Sequence, residues 1–526
     1  MTALVIAVVI GLAVLAGALG GKYLRIPAPW IWIVAGAVLS FVPGLHQVSL
    51  PSEVVIFLFL PVLLYWETLS TSFQLIRANL RVILLLGIGL VFVTAAVIAG
   101  LGHMLGLAWP IAIVLGAVIS PTDATAVATM APHLPRRPAT VLRAESLIND
   151  ASALALWTVA VGAIAAGTAV QPLDISLRFV WAVVGGVLGG IVFGFVCVLL
   201  RKIARRTDIA DVVGVLSPFL LYLPAEAVNA SGVVAVVVGA LLLGRFSPRI
   251  STAAARNEGF SFFRVTTYLI NGGLFVLIGL QARPVFETFV GDGWRQVLTL
   301  SAVAAIAVFA VRFLWIQLTT VLIRALDRRD SQRARRAPFR QRLVSSWGGF
   351  RGAVSLAAAL AIPVETMDGV RIPERETVIA VTFVVVVVTI FLQGATMPAV
   401  VRRARFEEDR AEQDELHLVH IAPLETALEH LDEDAQEAGV SEEVSRHVRD
   451  MLEHRLELVR SNGPGEDEDE QRPDRAKARL QLAVLARKRE AAISLRDEGR
   501  IDDGVLLSAQ QRFDLEELRL TAETAG

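Results

Sequence analysis

The stretch "VLGAVISPTDATAVATM" (114–130) is apolar enough to lie in a membrane, yet it carries Pro121 and Asp123 at its centre. Proline removes a backbone donor and its ring clashes with the preceding turn, so a helix here should unwind near Ser120–Asp123. Backbone freed inside a bilayer is tolerated only where protein buries it or a polar cavity receives it. The break therefore points to a built site at mid-membrane, and the sequence around it carries the same message. In "SSWGGFRGAVSLAAAL" (345–360), Gly348, Gly349 and Gly352 surround Arg351 and invite a second interruption.

The surroundings are those of a membrane protein. Of 526 residues, 54% are hydrophobic, and the mean hydropathy is +0.59. Uncharged runs such as "VILLLGIGLVFVTAAVIAGLGHML" (82–105) and "FVWAVVGGVLGGIVFGFVCVLL" (179–200) exceed the roughly 20 residues that a helix needs to cross the hydrocarbon layer. Apolar runs set against breaker residues give an all-α polytopic protein of about thirteen spans. They fall near 3–20, 28–43, 53–70, 81–103, 109–130, 139–166, 178–200, 210–226, 229–244, 259–280, 296–323, 343–362 and 377–401. The apolar start, Met1–Gly20, lacks a basic leader and a small-residue cleavage site, so it reads as the first span. Cys197 is the only cysteine, which excludes an intrachain disulfide.

Charge is unevenly distributed beneath a formal net value of −1. Alternate loops hold about 26 Lys and Arg against about five (Arg178, Arg283, Arg295, Arg371 and Arg375). The positive-inside rule then places the N-terminus outside and the C-terminal region in the cytoplasm of a cell (inner or plasma) membrane. Of the 50 acids, 32 follow Arg405. Residues 1–405 are thus expected to form the membrane domain and 406–526 an acidic, helical cytoplasmic tail. An acidic tail also argues against nucleic-acid binding, whereas the Arg-rich 324–342 loop is suited to lipid headgroups or to the tail.

The two interrupted spans sit in the middle of two trios, spans 4–6 and 11–13. Paired broken helices in corresponding positions mark an inverted repeat and its binding site. Charges at depth are costly and by default functional; here they are Glu67, Asp123, Glu145, Asp150, Arg312 and Arg351. Glu226 and Asp211 lie nearer an interface, where solvent can hold them. In "ESLINDASALALW" (145–157), residues four apart share a helix face. Ser146 and Asp150 together offer a hydroxyl and a carboxylate oxygen to one hard cation. Glu145 and Asn149 form a polar pair that needs a positive partner, and Arg351 is the expected one, in a structural ion pair. Asp123 either caps the second half-helix or joins the unwound carbonyls around Thr122 in holding an ion. Oxygen-only ligation suits Na⁺, Li⁺ or a proton and not a transition metal.

Several motifs carry a resemblance. "SPTDATAV" (120–127), "AESLINDASAL" (144–154), "NGGLFVLIGLQ" (271–281), "WGGFRGAVSLAAAL" (347–360) and "AEAVNASGVVAVVVGALLLG" (225–244) resemble the bacterial NhaP-type sodium/proton antiporters of the monovalent cation:proton antiporter-1 family. "LPVLLYWETL" (60–69) is similar to an acidic motif of the family, with Trp66 in place of a small or acidic residue beside Glu67. The resemblance covers residues 1–400 and leaves out the tail. It implies a thirteen-span homodimer with a dimerisation domain and a core in which two unwound helices cross. It also implies that Asp150 carries the ion and the proton, with Na⁺ held at Asp150, Ser146 and Thr122 and with Asp123 and Glu67 beside them. Glu145, Asn149 and Arg351 match the family's supporting cluster, and the Asn149–Asp150 pair matches its electroneutral members. The implied activity is exchange of Na⁺ or Li⁺ for H⁺, serving pH homeostasis and sodium tolerance, with no cofactor beyond the transported ions.

A K⁺/H⁺ antiporter on the same fold remains an alternative, because selectivity depends on small differences in cavity size. A cation channel should show a filter-like segment, and none is present. An intramembrane enzyme is not expected: there is no HExxH, and no Ser or Cys lies beside a His within the spans. His46, His103 and His133 fall at loops or span ends. Five of eight histidines (His417, His420, His430, His447 and His454) lie in the tail, where they titrate near neutrality. Composition alone favours ordinary solvated helix faces for them. Amphipathic stretches at 479–495 and 514–523, with a polar linker at 461–473, suggest a small helical domain or a pair of helical hairpins.

Overall fold

The computed structural model describes residues 2–42, 54–71, 73–131, 134–165, 172–204, 209–290, 294–326, 338–365, 372, 374–406, 410–461, 472–498, 509–510 and 512–517. His46, His133, most of the Arg-rich loop, most of the 461–473 linker and the end of the 514–523 stretch lie outside them. The chain divides into two compact units, Met1–Glu407 and Glu408–Gly526.

Among the described residues of the first unit, seven helices are long and apolar enough to cross a membrane, and five shorter apolar helices accompany them. With the interrupted pair Phe339–Trp347 and Ala353–Leu360, they account for the thirteen spans expected. Enclosure differs among them. In the apolar windows of Pro138–Ile164 and Arg375–Ala404, 61% of residues are buried, against 28% in Ser176–Ile203. The first two lie at the centre of the unit. The third turns Leu188, Val192, Phe195 and Leu199 outward, as a lipid-facing helix does.

Both breaks fall where Pro121 and the 348–352 glycines put them. The first span is helical over Trp109–Ile119, irregular over 120–123 and helical again over Ala124–Met130. The second runs from Phe339–Trp347 through an irregular 348–352 to Ala353–Leu360. Each broken span lies between two long ones, Asn79–Met104 and Pro138–Ile164 for the first, Trp294–Ala325 and Arg375–Ala404 for the second. The irregular segments meet directly, with Asp123 N–H donating to Phe350 O at 2.8 Å. Freed backbone is therefore satisfied within the protein, as hydrocarbon surroundings require.

Two helices widen into π turns beside this crossing, at Leu85–Gly89 and Thr389–Gln393. A third π turn, Val55–Phe59, precedes helix Leu60–Leu69, which carries Glu67. Such turns set backbone and side-chain groups off the regular ladder and recur at functional sites.

The second unit is helical over Arg410–Glu437, Glu442–Ser461 and Arg472–Asp497. Arg449 meets Asp432 at 2.6 Å, and Arg460 meets Glu425, which ties the first two helices into a hairpin. Lys488 and Arg489 pair with Glu516 and Asp514. These pairs are largely exposed and contribute little each.

Candidate functional site

Helix Arg136–Ala165 supplies the centre of the site, because residues 145, 146, 149 and 150 fall on neighbouring faces of one helix. Ser146 Oγ donates to Thr122 O in the first irregular segment. Asn149 sets its amide nitrogen toward the π turn and donates to Leu86 O and Gly87 O, both at 3.0 Å, while its Oδ1 accepts from Thr122 Oγ1 at 2.8 Å. The reverse orientation would press the amide oxygen against those carbonyls. Thr122 is thus pinned through both its carbonyl and its hydroxyl.

Glu145 is fully buried and pairs with Arg312, not with Arg351. Arg312 Nη1 lies 2.5 Å from Glu145 Oε1 and Nη2 lies 3.2 Å from Oε2, a bidentate fit, while Nε donates to Ser345 O at 2.9 Å. The expected Arg351 partner is corrected here, and the physical reason lies in the breaks. Arg351 Nε donates to Ile119 O at 3.0 Å and its Nη1 to Gly349 O. These carbonyls stand at or just past the C-terminal ends of the two first half-helices, where partial negative charge collects. Arg351 N–H in turn donates to Thr389 Oγ1 at 3.1 Å, in the second π turn.

Asp123 is the counterpart at the opposite helix ends. It is the N-cap of Ala124–Met130, with Oδ1 accepting from Thr125 N at 2.8 Å, Ala126 N at 3.2 Å and Thr125 Oγ1 at 2.5 Å. Three hydrogen bonds from two residues, Thr125 and Ala126, therefore fix one of its oxygens. The other lies against Gly352, which precedes Ala353–Leu360. A Cβ on Gly352 would sit 2.1 Å from Asp123 Oδ2, so only glycine admits this approach. A negative side chain at two helix N-termini and a positive one at two C-termini neutralise the crossing without pairing with each other.

Asp150 is left over. It is buried, and it makes no hydrogen bond or ion pair among the described residues. It lines a cavity of about 30 Å³ together with Glu67, Asp123, Thr122, Ser146, Asn271 and Ser355. A space of this size has room for a cation with a water or two. Three carboxylates and several neutral oxygens line it, a hard donor set suited to an alkali cation or a proton. Among the described residues no group of three or more His, Cys, Asp or Glu forms a metal cluster.

The structure thus brings Glu67, Thr122, Asp123, Ser146 and Asp150 to one cavity and sets Glu145, Asn149 and Arg351 just outside it. Glu226, the charge nearer the interface, accepts from Gly232 N at 2.9 Å and so caps the following helix. Arg312 was legible as a charge at depth but not as the partner of Glu145. Ser355 and Asn271, within quoted motifs, had no signal that set them apart.

The family follows from comparison with known proteins. Residues 9–403 match the sequence profile described as sodium/hydrogen exchanger, transmembrane. The chain belongs to the sodium/hydrogen exchanger family. A protein of Mycobacterium tuberculosis named as a sodium/proton exchanger is 41% identical over 521 residues, 98% of this chain and 96% of that one. A sodium, potassium, lithium and rubidium/proton antiporter of Bacillus subtilis is 31% identical over 71% of this chain and 57% of its own length. The sodium proton antiporter MjNhaP1 of Methanocaldococcus jannaschii, solved at pH 8, superposes with a TM-score of 0.59 at 19% identity, covering 75% of this chain and all of that one. This exchanger is therefore a multi-pass membrane protein of the NhaP-type antiporter fold that exchanges a cation for protons, and its named relatives are transporters.

Proposed function

We propose that the protein exchanges Na⁺ or Li⁺ for H⁺, one for one, by alternating access, with ion and proton competing for Asp150. The observation that carries this reading is the unpaired Asp150 carboxylate in an oxygen-lined cavity. Glu145, Arg312, Arg351 and Asp123 each have fixed compensating partners. Asp150 has none, so its charge is what an arriving proton or cation neutralises. The two cannot both be held well by one carboxylate. A bare buried charge is costly in the membrane, so the empty, ionised form does not switch sides. Competition combined with that prohibition is sufficient for coupled exchange.

Ser146 and Thr122 would complete the Na⁺ site with a hydroxyl and a carbonyl, and Glu67 and Asp123 would hold negative potential over the cavity. Asn149 contributes no second carboxylate beside Asp150, which supports an electroneutral cycle. The positive-inside bias supports an N-terminus outside and a tail in the cytoplasm, and the NhaP-type fold supports a homodimer. A K⁺/H⁺ cycle is the second reading, favoured by the printed name of the Bacillus subtilis relative, which includes potassium.

Everted vesicles loaded to clamp the membrane potential test both readings. Na⁺ or Li⁺ should collapse an imposed pH gradient at a rate independent of the clamped potential, and Asp150→Asn should abolish that collapse. Full exchange by Asp150→Asn at parental expression rejects the assignment, and K⁺ acting as well as Na⁺ selects the second reading.

A further inference from the structure

Most buried hydroxyls in the membrane unit have an obvious acceptor. Thr68, Ser217 and Thr267 each donate to the carbonyl four residues earlier in the same helix, the usual escape for a hydroxyl in an apolar helix. Ser355 does not. It is 1% exposed, and its Oγ has no hydrogen-bond partner among the described residues. The local fold explains why. Ser355 is the third residue of Ala353–Leu360, so the carbonyls it would reach belong to Arg351 and Gly352, before the helix begins. Gly352 is the extended N-cap, with φ −128° and ψ −164°, so the carbonyl four residues before Ser355, that of Arg351, lies outside the helix. The break that creates the crossing also strips Ser355 of its acceptor.

Ser355 is one of the residues that line the cavity shared by Asp150, Ser146, Thr122, Asp123 and Glu67. Among the described residues, Tyr65, Thr94, Ser301 and Thr382 also have buried hydroxyls without a partner, but none of these lines that cavity. A buried polar group is stable only when something answers it. At this position a cation, or a water held by that cation, is what the cavity provides.

We propose that Ser355 Oγ is a ligand of the transported cation, supplied by the second broken helix opposite Asp150, Ser146 and Thr122. The ion then has a donor on each broken helix, Thr122 on the first and Ser355 on the second, with helix Arg136–Ala165 between them. Its occupancy depends on how the two irregular segments sit against each other. A proton on Asp150 needs no such neighbour, so Ser355 serves the cation half of the cycle and not the proton half. This rests on the competition reading above.

That asymmetry sets the test, which compares Na⁺ titrations in everted vesicles at two pH values for the parent, Ser355→Ala and Ser355→Thr. Under competition, loss of a cation ligand multiplies the apparent KM for Na⁺ by one factor at every pH. Ser355→Ala should raise it roughly five- to tenfold at both pH values, with the maximal rate within twofold, and Ser355→Thr should restore it. A KM within twofold of the parent in Ser355→Ala, or a Ser355→Thr no better than Ser355→Ala, overturns the proposal.

Should Ser355→Ala not accumulate as folded protein, Ser355→Cys in a Cys197→Ala background decides. Saturating Na⁺, but not choline, should slow modification of the introduced thiol by a small methanethiosulfonate; equal rates overturn the proposal. Asp150→Asn measured alongside keeps the two ideas apart. Exchange surviving in Asp150→Asn rejects the competition reading itself. Exchange lost there, with Ser355→Ala unchanged, rejects only the role of Ser355.

Discussion

Arg312 and Arg351 each bury a full positive charge, and they do so on different terms. Arg312 is closed by a bidentate carboxylate and a carbonyl, whereas Arg351 is held by carbonyls that two interrupted helices leave exposed. Removing one member of a buried pair strands the other, at a cost of about 3–5 kcal/mol, whereas apolar replacement of both is often neutral. Arg312→Ala should therefore melt far below the parent in detergent, and Arg312→Met combined with Glu145→Leu should recover most of the loss. A single variant that melts with the parent would show that Glu145 is not stranded, and the pair would lose its structural role. Sequence spacing made Glu145, Ser146, Asn149 and Asp150 legible together because four residues return a helix to the same face. It could not reveal the Glu145–Arg312 pair, since 167 residues separate them and only the folded crossing chooses between two candidate arginines.

At the scale of elements, the breaks were readable because proline and clustered glycine act on the backbone directly, whatever surrounds them. The π turns were not, since nothing in "LLGIG" (85–89) or "TIFLQ" (389–393) distinguishes a widened turn from a regular one. Those turns receive Asn149 and Arg351 N–H, so part of the site's support rests on geometry that no local pattern encodes. The crossing itself depends on one absent side chain. Gly352→Ala would place a methyl 2.1 Å from Asp123 Oδ2 and 2.6 Å from its Cγ, so the irregular segments must separate. The first turn of Ala124–Met130 would lose its cap, and Asp123 N–H would lose Phe350 O. Exchange should fall at least tenfold while most of the protein still elutes as a folded species, because the change is confined to the crossing. Parental exchange by Gly352→Ala would mean that the two segments tolerate separation and that their contact does not organise the cavity.

Taken whole, the chain carries 18 of its 50 acids up to Arg405 and 32 beyond it. Composition sets the tail apart by its acids but could not single out any of its five histidines. The structure distinguishes His430. Its Nδ1 lies 3.0 Å from Thr426 O, and that hydrogen bond, reinforced by Glu429, Glu433 and Asp434, raises its affinity for a proton above that of an ordinary imidazole. A raised folded-state value fixes the sign of the effect. Protonated His430 stabilises helix Arg410–Glu437 fully below the unfolded value of ~6.5, and this contribution is lost as pH rises through the higher folded value. Because the ring is exposed, the effect is screened and modest. Amide hydrogen exchange of the full-length protein should show residues 426–434 better protected at pH 5.5 than at pH 8, after correction for the intrinsic rate. His430→Gln should remove that difference without altering protection in the 136–165 helix. If the variant kept the same pH-dependent protection, the tail's acids alone would account for it and His430 would be one more solvated side chain. If the difference disappears, a pH signal has a defined entry point on the tail. The pH profile of exchange by a chain lacking 410–526 then tells whether that signal reaches the membrane unit.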